Sequence, residues 1–231
     1  MSHYTLLALV PGYLAQSGQP ADPDTGERTS LREYLEDLLE PFDEGARVEP
    51  YLKEVSWFYS RQRLADAGLL TIAEGDPGFI EAYVQAYNAD PASWLADGKP
   101  LVATAGKAYE WSTYNPKSKW DWWVIGGRWS GSMPSAGDGP YVETGAGNSI
   151  HVRDLLANLD SPDFSLDEDG GAAGLVTFAV LTPAGMWHER GEMGWWAAVR
   201  DPKAAQDWLA EYRAVLEAHQ DCLAVLLDLH I

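Results

Sequence analysis

The sequence predicts a single α+β domain over residues 1–231, with an antiparallel or mixed β-sheet and helices packed mainly on one face. Apolar residues recur at helical spacing in separate segments, while short β-branched or aromatic runs lie near both ends and in the middle of the chain. No internal repeat, low-complexity tract or linker separates two folding units. These observations favour strand and helix segments that share one core.

The first third of the chain predicts one strand and then one helix. Residues 4–10 form a compact apolar run closed by a Pro-Gly pair, which is typical of a buried strand. Ser30 and Glu33 have the spacing of a capping box, and the apolar residues between 31 and 42 recur at intervals of three and one. We therefore expect an amphipathic helix that stops near Pro41.

The second third predicts two helices and a strand. An Asp-Pro pair at 76–77 starts a helix whose apolar face runs from 79 to 87, and a second such pair at 90–91 starts a short helix. The sequence pattern over residues 50–70 does not identify a helix or a strand. A strand is expected around 101–104, and the rest of the segment 97–118 is predicted to be irregular.

The last third has the clearest pattern. Residues 175–181 predict a strand, a Thr-Pro-Ala-Gly turn follows, and residues 186–190 predict its hairpin partner. Residues 194–199 predict another short strand. A helix is expected to open at 201–202, and the chain ends in an apolar strand over 223–231.

Composition excludes several classes of protein. Sixteen Lys and Arg residues against 35 Asp and Glu residues give a net charge of −19, which disfavours direct binding to nucleic acid. The sequence shows no membrane span and no export signal, so we expect a cytoplasmic protein without a membrane partner. A lone Cys222 excludes an internal disulfide and a cysteine-rich zinc site, and it predicts a buried, inert thiol.

Tryptophan is concentrated in two short windows. Eight of the eleven tryptophans lie there: Trp111, Trp120, Trp122, Trp123, Trp129, Trp187, Trp195 and Trp196. One interpretation is that they are core and rim aromatics of a sheet. The other is that some of them wall a pocket for a flat ligand.

Alternation along a strand over residues 119–125 assigns two faces to this window. Trp120 and Trp122 would be buried on one face, while Lys119, Asp121 and Trp123 would share the other. On this pattern, Trp123 is expected to be open to a pocket.

Charged residues beside these tryptophans have a structural and a functional interpretation. Asp121 would form an ion pair with Lys119 or Arg128, or the three would present charge to a ligand. Gly126 and Gly127 permit close backbone approach next to Arg128, as an anion site requires, but they lack the spacing of a phosphate-binding loop.

Two histidines and a carboxylate are the candidates for chemistry. His188 follows Trp187, while Asp228 and His230 share one face of the last strand. These residue types suit an acid–base pair or a metal, but without a spacing motif the preferred interpretation is a hydrogen-bonded structural Asp/His cap. Because no metal-binding spacing motif is present, neither a metal site nor a cofactor is predicted.

We expect the two tryptophan windows and the end of the last strand to converge on one region. Asp228 would then orient His230 or pair with Arg128. The predicted ligand-binding residues are Lys119, Asp121, Trp123, Arg128, Trp129, His188, Trp195, Asp228 and His230.

Three sequence blocks resemble a family of proteins from tailed phages and from bacteria that carry prophages. The blocks are NPKSKWDWWVIGGRW at 115–129, WHERGEMGWW at 187–196 and LDLHI at 227–231. The segments 4–10 and 38–44 also fit. The resemblance implies a phage-linked origin and no particular chemistry.

Three function hypotheses follow. The first is a phage-linked accessory protein with a tryptophan-walled pocket that binds a small, nucleotide-like molecule or counters a host defence protein. The alternative is a hydrolase or transferase that uses His188, Asp228 and His230, with Arg128 stabilising an anion. The third is an acidic inhibitor that mimics nucleic acid. The oligomeric state is left open.

Overall fold

The protein has an α+β fold, seen here in a computed structural model. In chain order its elements are β1 (His3–Pro11), α1 (Leu31–Leu39), β2 (Arg47–Glu54), α2 (Arg61–Asp66), α3 (Phe79–Ala89), β3 (Val102–Thr104), β4 (Lys107–Tyr114), β5 (Trp122–Ile125), β6 (Ser149–His151), α4 (Val152–Leu159), β7 (Ala179–Leu181), β8 (Trp187–Glu189), β9 (Glu192–Met193), β10 (Val199–Arg200), α5 (Ala205–Glu217) and β11 (Cys222–His230). The structure describes residues 2–16, 18–55, 61–89, 100–134, 144–166, 175–193 and 198–231.

The chain divides into two compact units. The larger comprises Met1–Ala46 and Pro116–Ile231, and the smaller comprises Arg47–Asn115. The prediction of a single domain stays a prediction, and the units are described separately.

A mixed sheet forms the centre of the larger unit. Its strand order is β5-β11-β1-β7-β8, and β6 also pairs with β11. Only the β1–β7 pair among these is parallel. The first and last strands pair along their full length, from His3 opposite His230 to Pro11 opposite Cys222. Both strands are apolar on each side, as predicted, because both faces of the sheet are covered.

Helices cover both faces of this sheet. The α4/α5 face buries side chains that include Leu7, Leu9 and Leu226 against these two helices. The α1 face buries Leu6 and Ala8 of β1 and other strand residues against α1. Alternation along each strand therefore divides its side chains between two apolar clusters.

The α4/α5 face changes from apolar to polar along the β1–β11 pair. Successive pairs on this face are Leu9 with Ala224, Leu7 with Leu226, Thr5 with Asp228 and His3 with His230. The first two pairs belong to the apolar cluster, whereas the last two do not. The sheet thus ends in a polar surface beyond its core.

Helix α1 is bounded as the sequence predicts. The Glu33 backbone N–H donates to Ser30 Oγ at 3.2 Å, and the Glu33 carboxylate accepts from the Ser30 backbone N–H at 2.8 Å, which completes the capping box. The helix passes into a 3₁₀ turn at Glu40–Phe42.

Helix α5 begins later than predicted, at Ala205 instead of 201–202. Asp201 has a φ of +45°, and the Lys203 backbone N–H donates to the Arg190 carbonyl at 2.7 Å. These residues form a connection tied to the end of β8, so the helix cannot start there. The predicted helix after 90–91 and most of the predicted strand at 194–199 lie outside the described residues.

The smaller unit contains a three-stranded antiparallel sheet, β2-β4-β3, together with α2 and α3. Strand β3 and helix α3 match their predictions, whereas β4 falls in a segment predicted to be irregular. Its polar residues Glu110, Ser112 and Thr113 hide the strand pattern because most of its side chains are only partly buried. None of the helices within the described ranges is long and apolar enough to cross a membrane.

Candidate functional site

Two histidine–carboxylate pairs lie side by side at the polar end of the α4/α5 face. His3 Nδ1 is 2.8 Å from Asp228 Oδ1, and His230 Nδ1 is 2.5 Å from Asp121 Oδ1. The two imidazole centroids are 4.9 Å apart, with an angle of 67° between the rings. We call His3 and His230 the histidine pair. The antiparallel pairing of β1 with β11 places them directly opposite each other.

Asp228 is the buried anchor of this arrangement, with only 1 % of its surface exposed. Its Oδ2 accepts the backbone N–H of Arg128 at 3.0 Å, while its Oδ1 faces His3. Because an ionised carboxylate only accepts hydrogen bonds, His3 Nδ1 carries the proton in this pair. Nε2 of a neutral His3 therefore has a free lone pair. Asp228 was expected to orient His230 or pair with Arg128; it binds the backbone N–H of Arg128, and the histidine that it faces is His3.

The Gly126-Gly127 turn approaches protein side chains and does not leave an open anion cradle. Gly126 and Gly127 have φ values of +70° and +49°, which favour glycine. A Cβ on Gly127 would collide with Asp228, and one on Gly126 would lie 2.6 Å from Asn148 Oδ1. The turn is thereby held between two buried polar side chains.

Asn148 is a positioning residue that the sequence analysis missed. Its Oδ1 accepts the Gly131 backbone N–H at 2.8 Å, and its Nδ2 donates to the Thr144 carbonyl at 2.7 Å. Its backbone carbonyl accepts from Leu226 of β11 at 2.8 Å. Asn148 thus joins the glycine turn to the strand that carries Asp228. An asparagine before a three-residue strand gives no signal of this role in sequence.

The predicted alternation over 119–125 fails at Asp121. The Lys119 backbone N–H donates to the Phe42 carbonyl at 2.8 Å, whereas that of Asp121 donates to the His230 carbonyl at 3.0 Å. The chain therefore changes its pairing partner within three residues, and side chains on the two sides of the change no longer follow one period. Strand β5 starts only at Trp122.

The three tryptophans of this segment are placed differently from the prediction. Trp122 is 50 % exposed, so the expectation that it is buried is wrong. Trp120 is half-buried against the α1-face cluster, where its Nε1 donates to the Leu39 carbonyl at 3.2 Å. Trp123 also packs on the α1 face, with the Arg32 guanidinium 5.3 Å above its ring. Trp123 therefore lies on the opposite face from the histidine pair.

Trp122 takes the place beside the histidine pair. It lies opposite His230 in the β5–β11 register, and its ring makes an edge contact with His3 at 6.2 Å between centroids. The His3 and His230 side chains are 14 % and 15 % exposed. Nε2 of His230 is buried and has no hydrogen-bond partner among the described residues. Nε2 of His188 is in the same state, so what distinguishes His230 is the second imidazole beside it.

Two predicted ligand residues belong to the α1 face or the core. Lys119 Nζ donates to Glu189 Oε1 at 2.7 Å, and Trp187 Nε1 donates to Glu189 Oε2 at 2.9 Å. Lys119 is thus paired with Glu189 and not with Asp121. Trp129 packs against the cluster of the α4/α5 face.

His188 is separate from the histidine pair. It lies on β8, three strands from β11, which corresponds to about 14 Å. Its Nδ1 is 3.2 Å from Glu211 Oε1, and Lys203 Nζ donates to Glu211 Oε2 at 2.6 Å. Burial alone would raise the pKa of Glu211. The hydrogen bonds and positive charges of Lys203 and His188 together outweigh burial, so the pKa lies below its usual value.

Arg128 contacts this site through its backbone and not through its side chain. The Arg128 side chain is exposed and forms no ion pair with another described residue, so the predicted Asp121–Arg128 pair is wrong. Trp195 lies outside the described residues. The structure brings Asp121, Asp228 and His230 together, with the backbone of Arg128.

The lone cysteine and a groove between α4 and α5 both lie away from the histidine pair. Cys222 begins β11, about 27 Å along the strand from His230, and is partly buried against the cluster of the α4/α5 face. Burial, assisted by the charge of Asp221, raises the pKa of its thiol. A groove of about 360 Å³ between α4 and α5 includes Arg213, which is already paired with Asp160.

The donor atoms of the histidine pair are held by carboxylates. Across the described part of the chain, no group of three or more His, Cys, Asp or Glu residues is arranged to hold a metal ion. Each imidazole instead uses Nδ1 to bind a carboxylate, which fixes the ring and leaves Nε2 for chemistry. No protein-family model, curated protein or solved structure matches this chain.

Proposed function

We propose that the histidine pair is the acid–base centre of a hydrolase or transferase. The observation that carries this proposal is the 4.9 Å separation of two imidazoles whose Nδ1 atoms both face carboxylates. A single histidine–carboxylate pair is common in protein structures and often only structural. Two adjacent pairs supply both a proton acceptor and a proton donor within reach of one bound substrate.

The carboxylates define the roles of the rings. Asp228 and Asp121 stabilise a proton on Nδ1 of His3 and His230, so proton exchange with substrate takes place at Nε2. The neutral ring accepts a proton from the attacking group, and the protonated ring donates one to the leaving group. His188 has no part in this proposal because it lies on a distant strand.

Access to the centre involves Trp122. Nε2 of His230 is covered in the structure, whereas the neighbouring Trp122 is half-exposed at the surface. Rotation of an exposed side chain requires little energy and occurs in nanoseconds. In this proposal a small movement of Trp122 opens the way to Nε2 while its ring stays beside the histidine pair.

Ligand capture without chemistry is the second candidate function. Its support is the half-exposed ring of Trp122, which offers a stacking surface for a flat molecule. In this proposal the exposed ring of Trp122, and not Trp123, forms the stacking surface. A phage-linked role in the host cytosol, including action against a host defence, belongs to this proposal through the sequence resemblance alone.

Ester hydrolysis by the full chain tests the proposed function. The substrates are 4-nitrophenyl acetate, 4-nitrophenyl phosphate and bis(4-nitrophenyl) phosphate, assayed with wild type, His3→Gln and His230→Gln. His188→Gln is the matched control because His188 also faces a carboxylate but lacks a second imidazole.

We expect turnover of at least one ester, and a decrease of about 10²–10⁴-fold in kcat for either variant of the pair. The control should keep wild-type kcat. Absence of turnover for all three esters, or equal rates in wild type and His230→Gln, contradicts the proposal.

A further inference from the structure

We infer that the substrate of this centre is a small phosphodiester that carries an aromatic group. This inference rests on the proposed function and specifies its substrate class. It depends on an exposed cation and an exposed aromatic ring near the histidine pair, and on the negative net charge of the whole chain.

The exposed cation is Arg128. Its backbone N–H is fixed by Asp228, and the adjoining Gly126-Gly127 turn is confined by Asn148, so its Cα has a defined position beside the histidine pair. Its guanidinium forms no ion pair with another described residue. Guanidinium binds phosphate oxygens through two parallel hydrogen bonds, which makes it suitable for a phosphate group.

The charge balance favours a single negative charge on the substrate. The chain carries −19 overall, and the carboxylates of Asp121 and Asp228 lie within the site. This field repels polyanions such as nucleic acid and nucleoside triphosphates. A phosphodiester has one negative charge, which Arg128 can neutralise, whereas a phosphomonoester brings a second negative charge close to the carboxylates of Asp121 and Asp228.

The exposed aromatic ring is Trp122. Half of its surface is accessible, although it lies next to both histidines through the strand register and an edge contact. Stacking of a base on an aromatic side chain contributes about 1–3 kcal/mol to binding. A nucleobase or similar ring attached to the phosphate would therefore place the phosphorus near the imidazoles.

The chemistry of the pair also suits phosphoryl transfer. Nε2 of one neutral imidazole accepts a proton from water while the water oxygen forms a bond to phosphorus. The bond from phosphorus to the leaving oxygen breaks, and the other, protonated imidazole gives its proton to that oxygen. The products are a phosphomonoester and an alcohol, and exchange with solvent returns each imidazole to its starting state.

The three esters named above distinguish this inference from the proposed function, with Arg128→Gln and Trp122→Ala as additional variants. Both side chains are exposed, so neither substitution should prevent folding. We expect kcat/KM for bis(4-nitrophenyl) phosphate to exceed that for 4-nitrophenyl phosphate by at least about tenfold.

Arg128→Gln and Trp122→Ala test the two proposed substrate contacts one at a time. Arg128→Gln should lower kcat/KM for the diester by about 10–100-fold, equivalent to one charged hydrogen-bonding group, and should lower that for the acetate, which is neutral in its ground state, by less. Trp122→Ala should raise KM for the diester by about 5–100-fold, the range expected from loss of one stacked ring.

Turnover that requires His3 and His230 but prefers the acetate or the monoester overturns the substrate class and leaves the proposed function intact. Diester turnover that is equal in wild type and Arg128→Gln also overturns it. Loss of all histidine-dependent turnover is a different outcome, because it contradicts the proposed function itself.

Discussion

Residues 119–123 contribute to two regions that differ in how their polar atoms are satisfied. On the α1 face, Lys119 pairs with Glu189 and the Trp120 Nε1–H is bonded to a carbonyl. On the other face, Asp121 and Trp122 border the histidine pair, where His230 Nε2 is buried without a described partner. The first region is organised for packing and the second retains unused hydrogen-bonding capacity.

Neighbouring residues of one segment therefore have different surroundings, since some pack on the α1 face and others border the histidine pair. A buried polar group without a hydrogen-bond partner decreases stability, so the free Nε2 of His230 is a cost that the packed half of the segment does not carry. The tryptophan-rich block was predicted to form one pocket wall. Its packed half instead holds the segment in place, and only its other half lies beside the candidate centre.

Asp228→Ala should produce the largest loss of stability. It leaves His3 Nδ1 and the Arg128 backbone N–H without their buried acceptor, and we expect a decrease of about 3 kcal/mol in the free energy of unfolding. Urea denaturation measures this, with the exposed Asp221→Ala as the matched control. A decrease equal to that of the control would contradict the anchoring role of Asp228.

Trp120→Ala and Trp122→Ala compare the two regions directly. Trp120 is packed and hydrogen-bonded, so its truncation should lower the free energy of unfolding by about 2–3 kcal/mol without lowering histidine-dependent kcat. The half-exposed Trp122 should cost no more than about 0.5 kcal/mol. Equal stability losses in the two variants would remove the distinction between the regions.

Gly127→Ala tests the close contact between the glycine turn and Asp228. A positive φ costs an alanine about 1 kcal/mol, and the collision of its Cβ with Asp228 should raise the total to about 2 kcal/mol. Gly185→Ala is the control because Gly185 has a φ of +74° and no atom near its Cβ position. If both variants lose the same stability, the contact has no energetic role.

Glu211→Gln should have the smallest effect and concerns the isolated His188–Glu211 pair. The folded-state pKa of Glu211 lies below its unfolded value, so its contribution is present above the unfolded pKa and is lost as pH falls through the folded pKa. Glutamine should therefore flatten the decrease in stability below about pH 5, by less than about 1 kcal/mol. Urea midpoints at several pH values measure this slope, and an unchanged slope would contradict the assignment.

Local signals in the sequence predicted much of the fold. The capping box of α1, the apolar periodicity of α3 and the buried end strands β1 and β11 are each encoded within one segment. Strand β4 was missed because it is mostly only partly buried and lacks a clear period.

The candidate site was only partly predictable. Asp228 and His230 are two residues apart on one strand, so their shared face follows from alternation alone. His3 joins them only through the pairing of the first strand with the last, 225 positions away from Asp228. The change of partner at Asp121 also requires tertiary contacts, which is why Trp122 and Trp123 were assigned to the wrong faces.

The position of the proton on each of the two imidazoles can be measured without a substrate. Long-range ¹H–¹⁵N correlation NMR of the full chain distinguishes Nδ1–H from Nε2–H in each ring, with His3→Gln and His230→Gln assigning the signals. We predict that His3 and His230, when neutral, each carry the proton on Nδ1 and leave Nε2 free. A proton on Nε2 in either neutral ring would contradict it, because that ring could not accept a proton from substrate.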